Sequence, residues 1–139
     1  MPPGGGELVG GSRDLTLRGG KGCRPVVLAA ATTGVAPERP LSDTVSAGAA
    51  LELLQSYLLI HDDWMDQDDE RRGGPAVHAA FRARHEGHLA DSLAILAGDI
   101  GSAYALELFA HAPFPAAPPA QARPALARTP MEVTRGRHP

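Results

Sequence analysis

The densest chemistry in this sequence lies between Leu58 and His78, LLIHDDWMDQDDERRGGPAVH, which holds five aspartates, one glutamate, two adjacent arginines and two histidines. Asp62 and Asp66 are four residues apart, a spacing that puts both carboxylates on one face of a helix, with Asp63 beside them. Three carboxylates within one turn repel each other and call for a compensating cation. Their hard oxygens favour Mg2+, which takes few protein carboxylates and keeps positions for water and a substrate phosphate. Arg71 and Arg72 follow, with guanidinium forks suited to phosphate oxygens. Gln55 lies two turns before Asp62 on nearly the same face. Taken alone, the carboxylates leave a metal-phosphate site and a solvated charged helix end evenly balanced. An EF-hand is excluded, because the D-x-[DN]-x-[DN]-G spacing with its closing Glu is absent. His61 and His78 each lack a second histidine three or four residues away, which argues against zinc.

A second cationic segment precedes this one, Arg18-Gly19-Gly20-Lys21-Gly22-Cys23-Arg24-Pro25. Glycine lets the backbone approach closely, and Lys21 and Arg24, three apart, can face one anion. By itself the pattern also suits an exposed basic turn before a helix.

Helices must position these groups. The apolar run after Pro25 predicts a helix to about Thr33, with proline in its first turn. Ser42 or Asp43 is expected to cap a long helix through TVSAGAALELLQSYLLIHDDWMD. Its apolar stripe is Leu51, Leu54 and Leu58, extended upstream by Val45, Ala47 and Ala50. Gly73-Gly74-Pro75 break it fully. Residues 77 to 88 read as a short amphipathic piece. Residues 89 to 111 read as a second long helix with Leu93, Leu96, Ile100, Tyr104 and Leu108 on one face, and Gly98 and Gly101 allowing a close helix contact. No segment reads as a strand. The Gly-rich residues 1–17 are expected to form a flexible tail, 18–111 the helical domain, and the Pro-rich 112–139 a disordered tail.

Composition sets the outer bounds. The 139 residues fit one domain, 43% of them are hydrophobic, and the net charge is −3, so no basic field points to nucleic acid. The single cysteine, Cys23, excludes an internal disulfide and reads as a small structural residue in a reducing cytoplasm. No uninterrupted apolar run approaches membrane-spanning length, and the first residues lack the pattern of a secretory signal.

Together these motifs resemble the trans-isoprenyl diphosphate synthases, the polyprenyl synthetase family that makes farnesyl and geranylgeranyl diphosphates. GGKGCRP is similar to that family's GGKxxRP loop, DDWMD to its first DDxxD motif, RRGGPAVH to RRGxPxxH, and LAILAGDIGSAYALELF to its next helix. The resemblance covers about residues 17 to 115. It implies an all-α fold, the amino-terminal part of an isoprenoid-synthase helical bundle. It also implies a prenyltransferase that condenses isopentenyl diphosphate with an allylic diphosphate. Asp62, Asp63 and Asp66 would bind Mg2+ and, with Arg71, act on the allylic diphosphate. Lys21, Arg24, Gln55 and Arg72 would bind isopentenyl diphosphate. Tyr57 would limit chain length toward short products, and the family's usual assembly is a homodimer. The second aspartate-rich motif has no counterpart, since no aspartate follows Asp99, and Lys21 is the only lysine. A non-catalytic half that binds Mg2+ and diphosphate, or pairs with a full-length synthase, is therefore the alternative expectation.

Overall fold

Helix α3 (Val45–Asp66) carries the aspartates and runs through the middle of the molecule. The computed structural model describes residues 3–113 and 117–136. Before α3 come α1 (Pro3–Leu17), α2 (Cys23–Val35) and a 3-10 turn at Leu41–Thr44. After it come a two-stranded hairpin, β1 (Glu70–Arg71) and β2 (Gly74–Pro75), then α4 (Val77–Arg82), α5 (Gly87–Ala110) and α6 (Ala117–Gly136). The chain is thus all-α apart from that short antiparallel hairpin, in which Glu70 pairs with Pro75 and Arg71 with Gly74.

α3 and α5 form the central pair, and α1, α2 and α4 lean on them. Small residues dominate the buried faces of the two long helices. Ala90, Ala94, Ala97, Gly98, Gly101 and Ala105 are the buried residues of α5, and Ala47, Gly48 and Ala50 are buried on α3. Gly98 and Gly101 allow the close approach expected of them. A Cβ at Gly98 would lie 2.6 Å from the His61 ring, and one at Gly101 2.7 Å from Ser12 Oγ. The larger side chains fill the flanks. Leu15, Ile60, Val77 and Phe81 join the α5 alanines in one cluster, and Leu54 with Ala105 forms a second.

The expected stripes shift accordingly. Leu54 is buried, but Leu51 and Leu58 are only half-buried and Val45 is 66% exposed. On α5, Leu96 and Tyr104 face outward, because the helix turns its alanine face to the cluster formed by α1, α3 and α4. Neither Ser42 nor Asp43 caps α3. Asp43 pairs with Arg39 instead, and the Thr44 hydroxyl returns to the Leu41 carbonyl.

Both tails differ from expectation. Residues 1–17 form α1 from Pro3 onward rather than a flexible tail, although glycine is a poor helix former. Packing supplies what propensity lacks: Leu15 and Ser12 are buried, and Gly11 sits where a Cβ would be 3.2 Å from Phe81. At the other end, α6 is helical although Pro124 and Pro130 lie inside it. The residues of α6 whose exposure is described lie at or near the surface.

α5 also qualifies the membrane argument. It is long enough to span a bilayer, with mean hydropathy 1.4 over its most apolar stretch. Of that stretch 33% is buried, in the packing of α5 against α1, α3 and α4.

Candidate functional site

The aspartate stretch is the last turn of α3. The helix ends at Gln67, which adopts the left-handed conformation (φ 57°) and donates its backbone N–H to the Asp63 carbonyl. Asp68 N–H reaches the same carbonyl at 2.9 Å. Asp62 is half-buried and Asp66 exposed, one helical turn apart on one face.

Asp63 does not share that face. A step of one residue turns it about 100° around the helix, and its side chain is fully buried. There it accepts a fork from Arg71, with Nε at 2.8 Å and Nη2 at 2.5 Å from Oδ1. Its other oxygen, Oδ2, is buried without a hydrogen-bond partner. Burial pushes the Asp63 carboxyl above its ordinary value, against the opposing pull of the Arg71 guanidinium. That same hydrogen bond raises Arg71 above its ordinary value. The expected carboxylate trio is therefore a surface pair, Asp62 and Asp66, and an inward ion pair, Asp63–Arg71.

The hairpin carries the cations. Its two central residues, Arg72 (φ 54°) and Gly73 (φ 71°), both have positive φ, the pattern of a tight two-residue turn. Arginine in that region costs about 1–2 kcal/mol. It is held there because Arg72 Nη1 donates to the Leu15 carbonyl at the end of α1 (3.0 Å), and its guanidinium lies against Gly20. The turn thus brings the RRGGP segment against the Gly-Lys loop, joining the two cationic segments of the sequence. Lys21 and Arg24 are exposed, Lys21 in that loop and Arg24 in the first turn of α2. Cys23 is exposed there as well, rather than a structural residue of the interior.

Gln55 and Tyr57 lie half-buried on α3. The Tyr57 ring meets His61 edge-on at 4.7 Å between centroids, and His61 Nε2 lies 3.1 Å from the Ile95 carbonyl. Trp64, between Asp63 and Asp66, has its indole Nε1 buried without a partner.

Three features escaped the sequence reading. Asp68 and Asp69, outside the DDxxD spacing, hold the loop: Asp68 reaches Arg71 at 3.4 Å, and Asp69 meets the buried His78 at 3.2 Å. Arg18, quoted only as the start of the Gly-Lys loop, grips the hairpin. Arg82 ties α4 both to Asp91 on α5 and to Gln67 at the end of α3. These contacts span 3 to 57 residues, and the long ones carry no local signal.

Among the described residues, no three His, Cys, Asp or Glu side chains converge on a common point. Asp62 and Asp66 alone still fit Mg2+, which is often bound by one or two carboxylates while water and phosphate complete its shell. The donor set is all hard oxygen, on a half-buried Asp62 and an exposed Asp66.

The polyprenyl synthetase family profile matches residues 8–138. The chain belongs to this family. Its relatives include a geranylfarnesyl diphosphate synthase of Natronomonas pharaonis, 37% identical over 94% of this chain and 40% of that protein. A geranylgeranyl diphosphate synthase of Methanosarcina mazei is 42% identical over 73% of this chain and 28% of that protein. Among solved structures, the geranylgeranyl pyrophosphate synthetase of the archaeon Geoglobus acetivorans superposes with a TM-score of 0.79 at 32% identity, over 94% of this chain and 39% of that one. The geranylgeranyl pyrophosphate synthase of Corynebacterium glutamicum, complexed with isoprenyl diphosphate and magnesium, gives 0.77 at 35% identity, over 93% and 40%. This polyprenyl synthetase chain therefore spans well under half the length of the relatives it matches.

Proposed function

We propose that this chain contributes the first aspartate-rich half of a prenyltransferase site in isoprenoid biosynthesis, binding an allylic diphosphate for condensation with isopentenyl diphosphate. The observation that carries this reading is the meeting of two motifs. The Asp62–Asp66 rim ends α3, and the Arg71–Arg72 hairpin that follows is latched against the Lys21 loop. Carboxylates for a cation and cations for a diphosphate are thus joined by one turn. Asp62 and Asp66 would hold Mg2+; Asp63 orients Arg71 instead of competing for the metal. When bound, Mg2+ supplies a hard Lewis acid that offsets the negative charge of a departing diphosphate. Arg71, Arg72, Lys21 and Arg24 add positive charge, and Gln55 and Tyr57 line the approach along α3. A solved relative in complex with isoprenyl diphosphate and magnesium supports the ligand class.

Isothermal titration of the chain with geranyl diphosphate checks this. Binding is expected in Mg2+ and should be lost in EDTA and in the Asp62→Ala/Asp66→Ala variant. Equal heats in all three conditions would refute it.

A second reading has its own observation. Val26 and Val27 on α2 are each 66% exposed, and Leu96, Tyr104 and Leu106 on α5 are 44–49% exposed. Such uncovered apolar surface favours pairing with another polyprenyl synthetase chain. Turnover of isopentenyl diphosphate that rises above that of a full-length synthase when this chain is added supports the second reading; Mg2+-dependent geranyl diphosphate binding by a chain that leaves that turnover unchanged supports the first.

A further inference from the structure

The hairpin that presents Arg71 and Arg72 is only two residue pairs long, and an isolated two-stranded hairpin is marginal in water. Something outside it must fix its position. Arg18, at the end of α1, does so through the hairpin's backbone, whereas Asp63 holds the Arg71 side chain. Its Nη1 donates to the Pro75 carbonyl at 2.7 Å and to the Arg71 carbonyl at 3.3 Å, so one nitrogen bridges both strands. The same guanidinium pairs with Asp14 one turn back on α1, which aims it at the hairpin. Gly74 completes the fit: a Cβ there would lie 2.7 Å from Arg18 Nη1. We propose that Arg18 is a positioning residue, locking the backbone of the Arg71–Arg72 hairpin so that Arg71 stays forked on Asp63 and Arg72 stays against the Lys21 loop, the arrangement in which their remaining N–H groups can serve a diphosphate. This assignment rests on the diphosphate reading above. It adds that α1 is part of the binding apparatus through Arg18.

The lock can be opened from either side. Arg18→Met removes the donors. Gly74→Ala pushes them away, and it is mild, because the colliding atom is the end of a flexible side chain and Gly74 does not need a positive φ. Arg18→Lys keeps one donor group but not the fork that Asp14 orients. Two readouts are used: titration with inorganic pyrophosphate in Mg2+, and the Arg71 Nε–Hε resonance, which reports the Asp63 hydrogen bond. Both disrupting variants should weaken pyrophosphate binding about tenfold, the lower end of what losing an orienting partner costs a bound ion. They should also move or broaden the Arg71 resonance while the melting temperature of Gly74→Ala stays near wild type, and Arg18→Lys should fall between. Wild-type affinity and an unmoved Arg71 resonance in Gly74→Ala would overturn the proposal. A loss of affinity that only follows a fall in melting temperature would do so too. If the wild-type chain binds no pyrophosphate, the diphosphate reading fails, and the Arg71 resonance still decides whether Arg18 positions the hairpin.

Discussion

Replacing Arg71 by methionine removes the guanidinium that faces the fully buried Asp63 carboxylate. The charge centres of the Asp63–Arg71 fork lie about 4 Å apart, and at an effective dielectric of about 20 such a pair attracts by about 4 kcal/mol. The Arg71 side chain is 31% exposed, so solvent screens part of that. We expect Arg71→Met to cost about 3 kcal/mol at neutral pH, the low end for breaking a buried pair. Asp63→Asn should cost only about 1 kcal/mol, because it strands a guanidinium that water can reach. The pH dependence follows from the direction of the Asp63 shift. Burial holds its carboxyl above the ordinary value, so the folded state keeps the proton more tightly than the unfolded one. Its contribution to stability is therefore best at low pH and falls as the pH rises through the folded value. Without Arg71 the folded value climbs further. The deficit of the variant then grows with pH, by up to about 1.4 kcal/mol per unit between the two folded values. Urea unfolding followed by circular dichroism at acidic and at alkaline pH measures both effects. Asp63→Asn proving as costly as Arg71→Met, or a deficit that does not grow with pH, would refute the reasoning.

Gly98→Ala should lower stability by about 1–3 kcal/mol, since its Cβ would meet the His61 ring at 2.6 Å where the ring is already held by the Ile95 carbonyl; an unchanged urea midpoint would contradict this. The Glu7 carboxyl is held below its ordinary value, first by its hydrogen bond with His85 and also by the charges of His85 and Arg84. That contact stabilises the molecule above the ordinary carboxylate range and is lost as the pH falls through the folded value. Amide exchange in α1 should accelerate in acid relative to α5, and Glu7→Gln should lose this difference.

The long helices were legible because α3 and α5 repeat their apolar residues at helical spacing. Which face they bury was legible in part: Ala47, Ala50 and Leu54 of the expected α3 stripe are buried, as are Gly98 and Gly101, but the alanines of α5 carry too weak a hydrophobic signal to outrank Leu96 and Tyr104. α1 was hidden for a related reason. Its glycines lower helix propensity, and only contact with Phe81, Gly101 and Ser56 compensates, from positions far along the chain. The types of the site residues were plain, since DDxxD and RRGGP are dense in charge. Their division of labour was half-legible. Helical geometry alone turns Asp63 away from Asp62 and Asp66, but its partner, eight residues on, depends on a hairpin that no alternation announces. Arg18 left no trace, since its partners are the backbone carbonyls of residues 71 and 75.

Trp64 gives this corner of the molecule a further property. It is the only tryptophan of the chain, flanked by Asp63 and Asp66, with its indole nitrogen buried. The long-wavelength ultraviolet emission of the whole protein therefore originates from one ring in the last turn of α3. Fraying of that last turn exposes the ring to water, so the integrity of the helix end that carries the aspartates can be followed by light without an attached dye.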